Sequence, residues 1–278
     1  MPATKEQKAQ YNQEVHDFKA KIDEVSHRVA ALEKTLKKPG DPLVPYKKIA
    51  VANDLMTEVS YYCTMSDLSM SLLGFKNEGY LNTARKECYK ALILLEEVFG
   101  IGVDISLAES SDRVKAVEKF DDKRKLNLCR KIGYGISLME DGFGENTKWK
   151  WDFVALEGRY AAAVKNMIDF KDLRKFNDPR TPCFNERRDL VKMCKSLLKK
   201  ASERFRDKYE LSTHQIEDFK KAIDYLSILM KIHGLFGEQE EAAKCKKGIE
   251  VWDVKLEADM DAKDGKKSQV GKKAPSKS

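Results

Sequence analysis

The chain has 278 residues, of which 42% are hydrophobic and 35% are charged. This balance is typical of a soluble protein that folds around its own core, and no apolar run reaches the roughly 20 residues that span a bilayer. The first residues lack the hydrophobic segment of a secretory signal, so we expect a cytoplasmic protein without a transmembrane helix.

The net charge of +7 is concentrated at one end of the chain. Six lysines and one aspartate give residues 263–278 a charge of +5, which leaves +2 for residues 1–262. A nearly neutral body is weak support for a nucleic-acid surface, although the lysine tail could bind RNA, DNA or an anionic membrane. The tail is rich in lysine, serine and glycine, so we expect it to be disordered.

The first predicted element is one long helix, from about Thr4 to Lys38. Apolar residues alternate spacings of four and three along it, which is the a/d pattern of a coiled coil. A second helix must cover this narrow seam, either in another copy of the chain or inside a helical hairpin. The seam consists of Tyr11, Val15, Phe18, Ile22, Val25, Val29, Leu32 and Leu36.

A second helix, predicted from about Pro45 to Leu73, follows the sharp break at 39–42 and carries two apolar rows. The simplest arrangement is an antiparallel hairpin, in which one row covers the seam and the other faces the rest of the protein. We therefore predict a long N-terminal hairpin at 1–75, a helical body at 76–262 and the disordered basic tail at 263–278.

Further helices are predicted in the body, where no alternating pattern indicates a strand. One of them should begin after Ser110 or Ser111, with a possible break at about 121–125, and should end at the loop of residues 142–144. The next segment, from Thr147 to Phe176, contains many of the body's large apolar residues. The fold class is therefore all-α, with seven to nine helices stacked as antiparallel hairpins. The remaining predicted helices span about 79–99, 185–209, 215–232 and 238–262.

Three glycines, Gly79, Gly158 and Gly237, are separated by 79 residues twice over, and each is followed five residues later by an alanine. Each place has the pattern of a helix, a glycine turn and a second helix. The segment from Gly79 to Leu92 resembles the second helix of a tetratricopeptide repeat, although the spacing is not the 34 residues of that family. The resemblance implies stacked helix pairs that form a groove for peptides.

The sequence contains no pattern that indicates a metal, a cofactor or a catalytic group. Six cysteines are scattered without a C-x-x-C pair, so we expect mostly buried, reduced thiols. Four histidines never cluster at the spacing of metal ligands. Phosphate-binding loops of the G-x-x-x-x-G-K type and the common hydrolase motifs are absent.

One helix of the body presents a basic stripe opposite its apolar face. Such a stripe could bind phosphate, an acidic peptide or nucleic acid, but nearby acidic residues reduce its field, and a solvated helix face is the simpler interpretation. The stripe consists of Arg188, Lys192, Lys195, Lys199 and Arg206.

These patterns favour a noncatalytic cytoplasmic scaffold or adaptor that binds a protein partner through a helical face or groove and that can self-associate. The alternative is a protein that binds nucleic acid or an anionic surface with the tail and the basic stripe. Its binding affinity would fall steeply with salt concentration, which would distinguish it from the scaffold. An enzyme assembled from distant helices is a third hypothesis, without a motif to support it.

Overall fold

The computed structural model describes residues 3–36, 40–145 and 147–270, with side chains described up to residue 261. This part of the chain contains ten α-helices and no β-strand, which confirms the predicted all-α class, although the number of helices exceeds the expected seven to nine. The helices are α1 Lys5–Leu36, α2 Val44–Leu68, α3 Glu78–Phe99, α4 Leu107–Lys115, α5 Asp122–Phe143, α6 Lys150–Asn166, α7 Arg174–Asn177, α8 Phe184–Lys208, α9 Ile216–Leu235 and α10 Gln239–Val270.

Two helices continue directly into a π-helical turn, Ser69–Leu73 after α2 and Tyr209–Thr213 after α8. A π-helical turn closes its hydrogen bonds over five residues instead of four, so it accommodates one more residue than an α-helical turn. The residues that end them, Gly74 and His214, have positive φ angles of 75° and 48°. The left-handed conformation stops each helix and redirects the chain.

The chain forms two compact units, Met1–Cys194 and Lys195–Ser278. The first unit contains α1 to α7 and the beginning of α8, and the second contains the remainder of α8 with α9 and α10. The predicted N-terminal hairpin, 1–75, and most of the predicted body therefore fall in the first unit.

Helices α1 and α2 pack as an antiparallel hairpin within the first unit. Phe18 contacts Tyr61, with ring centroids 5.7 Å apart. Further along α1, the Ser26 hydroxyl donates a 2.8 Å hydrogen bond to Glu58, which is nearer the start of α2. The predicted seam packs on this side, so its apolar area is used inside the chain. Val15, Ile22, Val25 and Val29 are buried, and Tyr11, Phe18, Leu32 and Leu36 are half-buried.

Helix α2 is the central helix of the first unit, because it packs against α1, α3 and α5. Ten of its residues are buried, and Val51, Ala52 and Val59 are completely shielded from solvent. Close packing against α5 depends on glycine: a Cβ atom on Gly135 would lie 2.6 Å from Met56 Cε and 3.2 Å from Val59 Cγ1.

The predicted start of α4 is wrong. Ser106 is the N-cap, and its hydroxyl accepts a 3.1 Å hydrogen bond from the Glu109 amide. Ser110 and Ser111 lie inside the helix, where their hydroxyls donate to the carbonyls of Ser106 and Leu107 at 3.1 and 2.9 Å. A serine inside a helix can bond its hydroxyl to a carbonyl of the preceding turn, and a serine at the N-cap bonds to an amide. The sequence does not show which of these two roles a serine has.

The segment at 147–176 is only partly helical, and the predicted turn at Gly158 is wrong. Helix α6 ends at Asn166, and Met167 and Ile168 are buried outside a helix. Their spacing matches a helical face only by coincidence. Gly158 lies in the middle of α6, where burial of the surrounding residues outweighs the roughly 1 kcal/mol that glycine costs in a helix.

At the other end of the chain, α10 extends to Val270, past its expected end near Ala262. Residues 271–278 of the predicted disordered tail lie outside the described residues. Within the described part, every helix is too short or too polar to cross a membrane.

We expect Gly133→Ala to lower the free energy of unfolding by about 1–3 kcal/mol. Its new Cβ would lie 2.8 Å from the Tyr160 hydroxyl, which donates a buried 2.6 Å hydrogen bond to the Cys129 carbonyl. Urea unfolding measures the change. Gly234→Ala is the matched control, because nothing lies within 4 Å of a Cβ there. Equal stability of the two variants would contradict the close approach of α5 and α6.

Glu58→Gln should stabilise the protein at neutral pH and lose this advantage in acid. Burial raises the pKa of the Glu58 carboxyl, against the opposing effect of the Ser26 hydrogen bond. A carboxyl whose pKa is raised on folding stabilises the native state at low pH, and this contribution is lost as the pH rises through the folded pKa. Glutamine keeps an acceptor for Ser26 without the charge.

The measurement for Glu58→Gln is urea unfolding at pH values from 4 to 8, plotted as the difference from the wild type. Glu33→Gln, at an exposed position of α1, is the control and should give a smaller pH-dependent difference. A difference for Glu58→Gln that is constant with pH would show that the buried carboxyl does not titrate as argued.

Candidate docking groove between α1 and the π-helical turn

An open groove of about 310 Å³ lies between the start of α1 and the π-helical turn that follows α2. One side is formed by α1 and the other by the turn and the loop after it. The lining residues are Ala3, Lys8, Tyr11, Asn12, Leu73 and Phe75. A volume of this size is at the lower end of the range for small ligand pockets, and it suits one large side chain.

The apolar wall of the groove is unusually exposed. Phe75 and Met70 are each 54% exposed, and Leu73 lies between them in the chain. Single apolar residues on a surface are ordinary, but Leu73 and Phe75 line the same open groove and form a small apolar patch there. Such patches are typical of surfaces that bind another molecule.

The backbone that carries Phe75 is held in place by two buried serines. The Ser69 hydroxyl donates a 2.9 Å hydrogen bond to the Phe75 carbonyl, and the Ser66 hydroxyl donates a 3.2 Å bond to the Asn77 carbonyl. Asn77 is itself the N-cap of α3, and its side chain accepts hydrogen bonds from the amides of Gly79 and Tyr80. The exposed phenylalanine is therefore presented on a rigid loop.

Aromatic side chains form the floor behind the groove. Tyr80 stacks on Tyr62 with 6.4 Å between ring centroids, and both rings pack with Tyr11 against the same small core. Burial, and then the neighbouring Tyr11 hydroxyl, raises the pKa of Tyr80 to about 12, so the Tyr80 phenol is protonated at physiological pH. The rings surround a core of Val15, Ile22 and Met65, which anchors the floor to the hairpin.

The polar wall comes from one face of α1. Lys8, Tyr11 and Asn12 are spaced by three and four residues, so their side chains are neighbours on that face. Lys8 is exposed and makes no ion pair with a carboxylate in the described part of the chain. The lining contains this cation and no acidic residue, so the groove has a positive side and an apolar side.

A model of the TP0443 family matches residues 7–260 of the chain. The chain belongs to the TP0443 family. The residues matched to the TP0443 family include every lining residue of the groove except Ala3, and they end before the lysine tail. No curated protein and no solved structure matches the chain. The comparison therefore identifies the family of the chain.

The five residues of the predicted basic stripe differ in burial and in whether they have an acidic partner. Lys195 is largely buried, 2.6 Å from Glu238, and its ammonium lies 4.6 Å from the Phe236 ring centroid. Arg206 is 2.9 Å from Asp207 and lies over the Trp252 ring. Two of the five charges are thus paired with acidic residues: Asp207 is adjacent to Arg206 in the sequence, whereas Glu238 lies 43 positions from Lys195.

The other three residues of the stripe remain exposed. The Arg188 guanidinium lies 5.5 Å from the Phe184 ring centroid, and Lys192 and Lys199 make no ion pair within the described residues. Asp189, beside Arg188, is paired with Arg130 at 3.0 Å. Binding of an anionic partner to this helix stays a prediction.

Sequence reasoning identified Tyr11 as part of the seam but did not identify the groove. Lys8 and Asn12 are ordinary polar residues of a helix, and Phe75 follows a predicted helix end. The available signal was the sequence Leu72-Leu73-Gly74-Phe75, in which apolar residues continue on both sides of a helix-ending glycine. An apolar residue just after such a glycine often packs back on the helix, so this signal does not predict exposure.

Ser69→Ala should loosen the loop that carries Phe75. The Phe75 carbonyl loses its hydroxyl partner, so we expect faster amide hydrogen exchange from Gly74 to Asn77 and a loss of about 1–2 kcal/mol in stability. Hydrogen-exchange mass spectrometry measures the first effect. Ser71→Ala is the control, because that hydroxyl bonds only to the Leu68 carbonyl of its own helix. Unchanged amide exchange in Ser69→Ala would show that the Ser69 hydrogen bond does not hold the loop that carries Phe75.

Proposed function

We propose that this protein is a noncatalytic scaffold or adaptor that binds a protein partner through the groove beside Phe75. The single observation that carries the proposal is an exposed aromatic side chain on a loop held by hydrogen bonds from two buried serines. Large aromatic residues supply much of the binding energy at protein interfaces, and a rigid anchor loses little conformational entropy on binding.

The arrangement of helices supports a binding role of this kind. The antiparallel hairpin of α1 and α2 and the helix–turn–helix of α9 and α10 are stacked helix pairs, and Gly237 lies in the turn between the latter two with a positive φ of 72°. We keep tetratricopeptide-like pairing as part of the proposal on this basis. A cytoplasmic location is a further part of the proposal.

The chemistry of the buried thiols agrees with a noncatalytic role. Burial raises the pKa values of Cys63, Cys88 and Cys129 to about 12. A thiol is nucleophilic as its thiolate, so these three cysteines are unsuited to covalent catalysis. Of the six cysteines, only Cys183 is not buried.

A photo-crosslinking experiment tests the proposal. Benzoyl-phenylalanine replaces Phe75 in one version of the full chain and Leu43, which is 55% exposed and does not line the groove, in the control. We expect position 75 to form a specific adduct in cells with an identifiable protein, a second copy of this chain included. Position 43 should not form that adduct.

The identified partner is then purified, and its affinity is measured for the wild type and for Phe75→Asp and Leu43→Asp. We expect Phe75→Asp to weaken binding at least tenfold, because it places a charge in the apolar contact, while Leu43→Asp binds normally. The absence of a specific adduct, or equal affinity for Phe75→Asp, would overturn the proposal. Circular dichroism confirms that both variants are folded.

A further inference from the structure

The two walls of the groove differ in chemistry, and this difference limits what can bind there. Leu73 and Phe75 form an apolar wall, and Lys8 and Asn12 form a polar wall opposite. A purely apolar ligand would leave the Lys8 ammonium beside an unfavourable surface, and a purely polar ligand would leave Phe75 exposed. A good ligand therefore carries an apolar side chain and an anionic group side by side.

The charge of the groove indicates the sign of that group. The lining contains Lys8 and no acidic residue, and Lys8 has no carboxylate partner among the described residues. A carboxylate brought to the exposed Lys8 ammonium would form an ion pair at the edge of the groove. Such a contact favours acidic ligands and disfavours basic ones through like-charge repulsion.

The shape of the groove favours a peptide over a free fatty acid, which also combines apolar and anionic groups. The groove is open to solvent, so an acyl chain bound there would keep part of its apolar surface in water. The carboxamide of Asn12 can donate a hydrogen bond to a peptide main chain and can also accept one from it. An acyl chain has no such donors or acceptors along its length. In a helical peptide, residues three or four apart place an apolar and an acidic side chain next to each other.

We propose that the groove binds an acidic amphipathic segment of a partner protein, with a large apolar side chain on Leu73 and Phe75 and a neighbouring carboxylate paired with Lys8. This inference rests on the proposed function, which requires only that a protein binds at Phe75. It adds the chemistry of the bound segment.

A random library of displayed 12-residue peptides provides the test. The library is selected on the full chain and counter-selected on Phe75→Asp, so that only peptides that use the groove are kept. The expected result is enrichment of sequences with aspartate or glutamate within four positions of a large apolar residue. Failure to enrich any peptide that depends on Phe75, or enrichment of neutral or basic peptides, would overturn the inference.

Charge reversal then tests the role of Lys8. We expect Lys8→Glu to weaken an enriched acidic peptide at least fivefold, measured by fluorescence polarisation, and we expect a lysine-substituted peptide to recover affinity for that variant. Lys19→Glu is the matched control: it makes the same change in net charge about 16 Å further along α1, beyond the Debye length at physiological salt. Equal effects of the two variants would show a general charge effect and would overturn the assignment to Lys8.

The crosslinking experiment and the peptide selection test different claims, so one can give a negative result without the other. A specific crosslinked protein together with neutral or basic selected peptides would refute the acidic segment and leave protein binding intact. Peptides that compete poorly with decanoate, while decanoate itself binds, would instead indicate a fatty-acid site and would also overturn the inference.

Discussion

The first unit depends on the burial of α2 between three other helices. Such a helix has little surface left for polar groups, yet Glu58 is 5% exposed and keeps an ionisable carboxyl inside the hairpin. Ser26 on α1 provides a partner for it, so the hydrogen bond also fixes how the two helices align. The groove inherits its position from this alignment, because α1 forms one of its walls and the turn after α2 forms the other.

The parts of the fold that sequence could predict are those set by local periodicity. The narrow seam of α1 required a covering helix, and the break at 39–42 left α2 as the nearest candidate. Burial of Val15, Ile22, Val25 and Val29 agrees with that requirement. The start of α4 was predicted wrongly because Ser110 and Ser111 bond to carbonyls of their own helix. The turn at Gly158 was predicted wrongly because burial of the surrounding residues outweighs the low helix propensity of glycine.

The candidate site could not be predicted, because it depends on contacts between distant parts of the chain. Lys8 and Phe75 are 67 positions apart, and the sequence pattern around them does not indicate that they line the same groove. The basic stripe illustrates the opposite case. Its spacing on one helix was evident from the sequence, but the counterion of Lys195 is Glu238, 43 positions away. Periodicity identifies which residues share a helix face, and it does not identify what covers them.

The π-helical turn at Ser69–Leu73 makes the groove sensitive to chain length as well as to residue identity. A π-helical turn holds one residue more than the α-helical turn it replaces, so removing a single residue there would restore an ordinary helix. Every later side chain of the turn would then rotate by about 100° around the helix axis, and Leu73 would leave the groove wall. Family members that differ by one residue in this turn would share the hairpin and yet present a different surface to their surroundings.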